Sequence, residues 1–86
     1  MDINILISII KKKISENICC QSIEVDDKSF LHKKHVGNEQ GKYHIKLTIQ
    51  SEELMKISRI ESNKKIYKIL NNEMKDTIHS LQILIH

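Results

Sequence analysis

Tyr43-His44-Ile45-Lys46-Leu47-Thr48-Ile49-Gln50 has the most regular hydropathy pattern in this sequence. Apolar and polar side chains alternate along it, which is typical of a β-strand with one buried face and one polar face. A shorter segment upstream, residues 22–26, alternates in the same way. The two segments predict a pair of antiparallel strands.

A long polar loop joins the two predicted strands. It opens with Asp27-Lys28-Ser29-Phe30-Leu31-His32-Lys33-Lys34-His35 and continues through Gly37 and Gly41. This connection is much longer than the 2–5 residues of a typical hairpin loop. Because a long loop exposes backbone and costs ordering entropy, it is more often functional than idle. We therefore expect the functional site here.

Helical periodicity marks the segment before the strands. Its apolar residues recur at the spacing of one helical stripe, namely Ile3, Leu6, Ile7, Ile10 and Ile14. Asp2 is placed to cap this helix. The stripe predicts an amphipathic helix that packs against the rest of the fold.

A second helix and a last strand are predicted after the strand pair. Residues 51–57 form a connector with a short helical turn, and Ser58 and Glu61 form a capping box that begins the helix. Residues 81–85 alternate as a third strand. The order helix, strand, strand, helix, strand predicts an α/β (α+β) domain, in which two helices cover one face of a three-stranded mixed sheet.

Length and charge limit the possible classes of protein. Eighty-six residues form one domain, residues 1–86, with a modest core. The net charge is only +3 and the acids are interspersed with the bases, whereas a dedicated nucleic-acid binder concentrates its basic residues on one face. No segment approaches the ~20 apolar residues of a membrane helix, and no signal peptide is recognisable. We expect a cytoplasmic protein without membrane contact.

Catalytic motifs are missing from the sequence. It contains no phosphate-binding glycine loop, no metalloprotease motif and no serine-nucleophile elbow. The adjacent Cys19 and Cys20 do not make the disulfide framework of a secreted domain, so we expect free thiols, one of them facing the core. We expect no enzymatic activity.

His79 is the most informative single residue. It lies an even number of residues from Leu81, Ile83 and Ile85, so its side chain is expected on the same, apolar side of the sheet, near the start of the last strand. A neutral imidazole there must satisfy two nitrogens. It is either hydrogen-bonded at the edge of the sheet or bound to a metal through one nitrogen.

The remaining histidines divide into two groups. His32 and His35 in the loop are ordinary polar residues or metal ligands, and their spacing alone does not decide between these roles. His44 lies on the polar face of its strand and His86 is the last residue. We expect both to be solvated.

Four segments taken together resemble the BolA family. The loop opening is similar to the family's acidic-x-Ser-x-x-His-x-x-His segment, and the strand from Tyr43 ends in Ser51, as the family's strand does. Ile66-Tyr67-Lys68-Ile69-Leu70 resembles its Val-Tyr-x-x-Leu helix, and Ile78-His79-Ser80-Leu81 resembles its His-Ala-Leu signature. The resemblance covers about residues 3–86 and implies a class II KH-like fold with a helix-turn-helix element.

The resemblance also implies a partner and a shared cofactor. The partner is a monothiol glutaredoxin, which holds a [2Fe-2S] cluster with its cysteine and a bound glutathione. A BolA-like protein replaces one half of the glutaredoxin homodimer and supplies histidine ligation, for cluster trafficking or for iron and redox signalling. By position, His79 matches the family's ligand and His32 its loop ligand, with His35 in reserve. The isolated chain is expected to hold no cofactor and to be a monomer or a weak homodimer.

An alternative function implied by the resemblance is that of a DNA-binding transcriptional regulator using the helix-turn-helix element. Family members usually carry an Arg-His-Arg triplet where this sequence has Ser62-Asn63-Lys64. The loss of two positive charges weakens the case for phosphate binding. Lys64, Lys65 and Lys68 keep some charge and are the candidate nucleic-acid-binding residues.

Overall fold

In the computed structural model, which describes residues 2–29 and 43–86, the chain alternates helices and strands in the predicted order. The elements are α1 (Ile3–Asn17), β1 (Ser22–Asp27), β2 (Tyr43–Gln50), α2 (Glu52–Met55), α3 (Arg59–Ile69), α4 (Asn71–Asp76) and β3 (Ile78–Ile85). The helical turn expected in the connector is α2. Among the described helices, none has the length and apolar character needed to cross a membrane.

The three strands form one mixed sheet in the order β1-β2-β3. β1 and β2 pair antiparallel, with Val25 opposite Leu47. β2 and β3 pair parallel, with Leu47 opposite Ile83. A parallel pair needs a long crossover connection, which α2, α3 and α4 supply. β2 is therefore the central strand, hydrogen-bonded along both edges.

The hydrophobic core lies between the helices and one face of this sheet. Ile45, Leu47 and Ile49 of β2 are almost fully buried. The helices contribute the buried side chains Leu6, Ile10, Ile14, Leu54, Ile66 and Leu70. The predicted α+β class, with helices against a three-stranded mixed sheet, is confirmed.

Local capping explains where the two main helices begin. Asp2 Oδ1 accepts a hydrogen bond from the backbone N–H of Asn4 (3.2 Å) at the start of α1. Ser58 Oγ accepts from the N–H of Glu61 (3.1 Å) at the start of α3. Both caps were predicted from the residue types, because a short oxygen-bearing side chain satisfies an N–H group that the helix itself cannot.

The second predicted helix is divided into two. α3 ends at Ile69, Leu70 leaves the helical conformation (φ −97°, ψ 21°), and α4 follows from Asn71. Asparagine is a poor helix former, which is consistent with a break beside Asn71 and Asn72. The buried Leu70 side chain anchors this break in the core.

Ser51 connects the end of β2 to two other segments. Its side chain is completely buried. Its Oγ accepts from the N–H of Leu54 (3.2 Å), which caps α2, and donates to the Cys19 carbonyl oxygen (2.8 Å). Its N–H donates to the His86 carbonyl oxygen (2.9 Å). The hydroxyl therefore holds the point where the chain leaves the sheet.

Replacing this hydroxyl is expected to destabilise the fold. Ser51→Ala should lower the free energy of unfolding by about 1–3 kcal/mol, because the buried N–H of Leu54 loses its acceptor and the Cys19 carbonyl oxygen loses its donor. Urea denaturation followed by circular dichroism measures the change. Ser58→Ala is the matched control, since it removes one cap at an exposed helix start and should cost about 1 kcal/mol or less. Equal losses would show that burial adds nothing at Ser51.

Candidate functional site

A β-bulge lies at the start of β3. Tyr43 is paired with Ile78, but the next residue of β2, His44, is paired with Ser80. His79 is thus an extra residue on β3 that has no pairing partner on β2. The bulge interrupts the alternation of side chains between the two faces of the sheet at this residue.

His79 lies on the polar side of the sheet and is exposed. Its ring centroid is 4.8 Å from that of His44, and the two ring planes meet at 60° in an edge-to-face contact. The prediction that His79 points toward the apolar side with Leu81, Ile83 and Ile85 is wrong, because the bulge interrupts the alternation on which that prediction relied. The exposed ring is accessible to another molecule.

His44 is buried, with only 7% of its surface exposed. Its Nδ1 is hydrogen-bonded to Ser80 Oγ (2.7 Å), and its backbone N–H donates to Ser29 Oγ (3.1 Å). The expectation that His44 is solvated is therefore wrong. The residue does lie on the polar face, but β2 is the central strand, so neighbouring chain covers it from both sides. His86, by contrast, is exposed as expected.

We call residues 30–42, which include His32 and His35, the histidine loop. The described residues on either side of it both lie at this end of the sheet. Ser29, the last described residue before the loop, is bonded to His44. Tyr43, the first described residue after it, donates its N–H to the Thr77 carbonyl oxygen (2.9 Å), just before β3. The predicted ligands His32 and His35 lie outside the described residues. In the sequence, His32 follows Ser29 by three positions.

Cys19 and Cys20 lie at the opposite end of the sheet from the two histidines. The N–H of Gln21 donates to the carbonyl oxygen of Gln50 (2.8 Å), at the end of β2, whereas His44 is near its start. Six residues of strand separate these positions by about 20 Å. The cysteines and His79 therefore do not form one metal site.

Both cysteines are free thiols, as predicted. Cys19 is exposed, while Cys20 is half-buried and packs against the core. Burial, together with the neighbouring Cys19 thiol and the Glu53 carboxylate, raises the pKa of the Cys20 thiol. A raised pKa disfavours the thiolate, which is the form that binds metals. Across residues 2–29 and 43–86, no group of three His, Cys, Asp or Glu side chains could hold a metal ion.

The lysines considered for nucleic-acid binding are all exposed on α3. Lys65 Nζ is 3.1 Å from Glu53 Oε2 in an ion pair, which offsets part of its charge. Lys64 and Lys68 form no ion pair with any described residue. The three lysines therefore provide a modest positive surface with a carboxylate already beside it.

Sequence reasoning missed the roles of Ser80 and His44. Ser80 follows His79 directly, but its contact with His44 joins residues 36 positions apart. Only the pairing register of β2 and β3 reveals that contact. The sequence contains no signal for it, because Ser80 precedes the predicted third strand (residues 81–85) and no register between the second and third strands was predicted.

Comparisons with known proteins identify the family. A family model described as BolA-like protein matches residues 14–86. The "DNA-binding transcriptional regulator BolA" of Haemophilus influenzae is 29% identical over 75 residues, which cover 87% of this chain and 70% of that protein. The "SufE-like protein 1, chloroplastic/mitochondrial" of Arabidopsis thaliana is 28% identical over 80 residues, covering 87% of this chain but 22% of that protein.

Solved structures show the same fold. The BolA domain of SufE1 from Arabidopsis thaliana superposes with a TM-score of 0.78 at 28% identity, covering 93% of this chain and 88% of that one. BolA1 from Arabidopsis thaliana has a TM-score of 0.77 at 18% identity, covering 92% and 87%. Because the family model matches residues 14–86, which is most of the chain, the chain belongs to the BolA-like family.

Proposed function

We propose that this chain is an iron–sulfur adaptor, which pairs with a monothiol glutaredoxin and co-ligates a [2Fe-2S] cluster through histidine. Its role would be cluster trafficking or iron and redox signalling. The observation that carries the proposal is the position of His79, exposed on a β-bulge beside the place where the histidine loop leaves the sheet. A second protein can reach this imidazole without any rearrangement of the core.

The surroundings of His79 suit a ligand role. Its ring rests edge-on against the buried ring of His44, which is itself held by Ser80. This contact limits the orientations of the His79 side chain. Bulges often occur beside functional sites because they redirect one side chain out of the sheet pattern. The exposed imidazole of His79, oriented by the His44 ring, is therefore suited to supply one ligand to iron.

The histidine loop is the proposed source of a second ligand. Ser29 is fixed against His44, and His32 follows it by three residues in the sequence. Three residues of fully extended chain span at most about 11 Å. This short separation supports His32 as the second ligand, with His35 in reserve.

Histidine ligation gives the proposed cluster a distinct chemistry. An imidazole carries less negative charge than a thiolate, so it raises the reduction potential of the cluster, as histidines do in Rieske centres. The glutaredoxin cysteine and its glutathione would supply the thiolate ligands. The residues of this chain would bind at an exposed position, which suits a cluster that is passed on or sensed.

Removal of the His79 imidazole tests the proposal. In His79→Ala, the mixed complex with a monothiol glutaredoxin should lose the visible absorption and circular dichroism of a histidine-ligated cluster. Because the side chain is exposed, the free energy of unfolding should change by less than about 0.5 kcal/mol. His86→Ala, which removes another exposed imidazole of the chain, is the matched control and should leave the spectrum unchanged.

Parallel His32→Ala and His35→Ala variants identify the loop ligand. We expect the larger spectral change in His32→Ala. A visible spectrum that is the same in His79→Ala and in the unmodified complex would contradict the proposal.

DNA binding is the second candidate function. A relative is named a DNA-binding transcriptional regulator, and Lys64, Lys65 and Lys68 are exposed on one helix. The ion pair between Lys65 and Glu53 and the absence of the family's arginines weaken this candidate. The small number of unpaired cations on α3 favours the adaptor.

Titration of duplex DNA at two salt concentrations separates the two candidates. If only Lys64 and Lys68 contact phosphates, affinity should fall about tenfold between about 50 mM and 200 mM salt. We expect weak binding at the higher concentration. Micromolar binding that survives 200 mM salt, is lost in a Lys64→Gln, Lys68→Gln double variant and persists in His79→Ala would favour the DNA-binding regulator.

A further inference from the structure

The outer edge of β3 carries backbone groups that lack partners. The N–H of His86 donates to the Ile49 carbonyl oxygen, and its carbonyl oxygen accepts from the N–H of Ser51 (2.9 Å each). His86 therefore faces β2. Because consecutive residues of a strand direct these groups to opposite edges, Ile85 and Ile83 direct theirs away from β2. No described residue bonds to them on that side.

The same alternation places the backbone of Leu81 on the outer edge. There the hydroxyl of Tyr67, on α3, donates to the Leu81 carbonyl oxygen (3.3 Å). The edge is thus covered near Leu81 and open at Ile83 and Ile85. The open part lies toward the end of β3, away from the bulge.

β3 lacks the features that normally protect an edge strand. Residues 78–85 contain no lysine, no acidic residue and no proline. β1, at the other edge of the sheet, carries Glu24, Asp26 and Asp27. Charges and prolines prevent edge strands from pairing with other chains. Of the two sheet edges, the one formed by β3 is the one suited to accept another strand.

A groove of about 510 Å³ runs along this open edge. β3 contributes Ile83, Leu84 and Ile85 to its lining, and the segment around α2 contributes Met55 and Ile57. Met55 is 61% exposed and Leu84 is 42% exposed. Six of the nine residues around the groove are apolar, but its exposed surface is at least as polar as it is apolar. Such a mixed lining suits a ligand that offers both apolar side chains and hydrogen-bonding groups.

Two polar groups in the groove lack partners. Asn63 Oδ1 is buried without a hydrogen bond within the described chain, and a buried acceptor in this state is unfavourable. Arg59 supplies the one charge among the groove residues and forms no ion pair with a described residue. A guanidinium recognises a carboxylate through paired hydrogen bonds.

We propose that this groove binds an extended apolar peptide segment that carries a carboxylate and adds to β3 as a fourth strand. The peptide backbone would pair with the free groups of Ile83 and Ile85, as in other cases of strand addition. Its alternate side chains would contact Met55 and its carboxylate would meet Arg59. This surface is distinct from the proposed iron site, because His79 lies about 13 Å along β3 from Ile83.

The groove is less suited to other occupants. Proteins that hold single-stranded nucleic acid use several cations and aromatic stacking surfaces, whereas the groove has one cation and no aromatic side chain. Antiparallel pairing of two β3 strands about Ile83 would place Leu81 of each copy opposite Ile85 of the other. The Leu81 carbonyl is already bonded to Tyr67. A peptide from a different protein is therefore favoured over a second copy.

Two steps test the proposal. Peptides that bind the chain are first selected from a random library displayed on phage, and the Kd of one enriched peptide, made synthetically, is then measured by fluorescence anisotropy. Enriched sequences should alternate apolar residues and contain Asp or Glu. Met55→Glu should raise the Kd at least tenfold, whereas Ile5→Glu, which changes an equally apolar and 53% exposed residue on α1, should leave it unchanged. Arg59→Gln should weaken binding of the acidic peptide but not of its amide analogue.

Hydrogen exchange supplies a second readout. The amides of Ile83 and Ile85 should exchange quickly in the free chain and become protected by the peptide, since only an added strand bonds to them. Failure to enrich peptides, equal Kd values for Met55→Glu and Ile5→Glu, or unprotected amides in the complex would overturn the proposal. Two further results would also overturn it. One is binding of labelled oligothymidine that depends on Arg59 and occurs without peptide binding, and the other is a homodimer that the Met55→Glu substitution dissociates.

Discussion

Burial of one face of the central strand β2 is the constraint on which the rest of the structure depends. Ile45, Leu47 and Ile49 lie beneath the helices, and each fully buried side chain of this kind contributes about 1.5–3 kcal/mol. A slip of one residue would move these side chains to solvent and bring Lys46 into the core, so the register with both neighbours is strongly specified. The positions of His44, Ser80 and the ends of the histidine loop follow from that register.

The bulge at His79 follows from the same burial. Ile78 is 1% exposed and Leu81 also packs against the core, although three positions separate them. In a regular strand, residues an odd number apart face opposite sides. Both can face the core only if one residue between them is left out of the alternation, and that residue is His79. Packing of the core thus leaves the His79 imidazole on the surface, beside His44 on the other face of the sheet from the core.

The two proposed surfaces lie at opposite ends of β3 and differ in chemistry. At the start of the strand, histidine and serine side chains form a polar cluster next to the loop. At its end, an uncharged edge meets a groove lined by apolar and polar residues. Tyr67 separates the two regions by covering the backbone at Leu81. Under the two proposals, one partner would be contacted through imidazole and another through backbone hydrogen bonds, without competition for the same residues.

Local sequence determined the helices, the strands and their caps, because periodicity and capping depend on neighbours a few residues apart. Asp2, Ser58 and the alternation in β2 were sufficient for these, and the order of the elements implied the mixed sheet. Tertiary structure alone decided the bulge and the burial of His44. These depend on which strand lies beside which and in what register, and the contact between His44 and Ser80 joins residues 36 positions apart. The alternation of side chains along one strand does not reveal which strand lies beside it or where a bulge interrupts the pairing. For this reason His79, predicted to face the core, is exposed, and His44, predicted to be solvated, is buried.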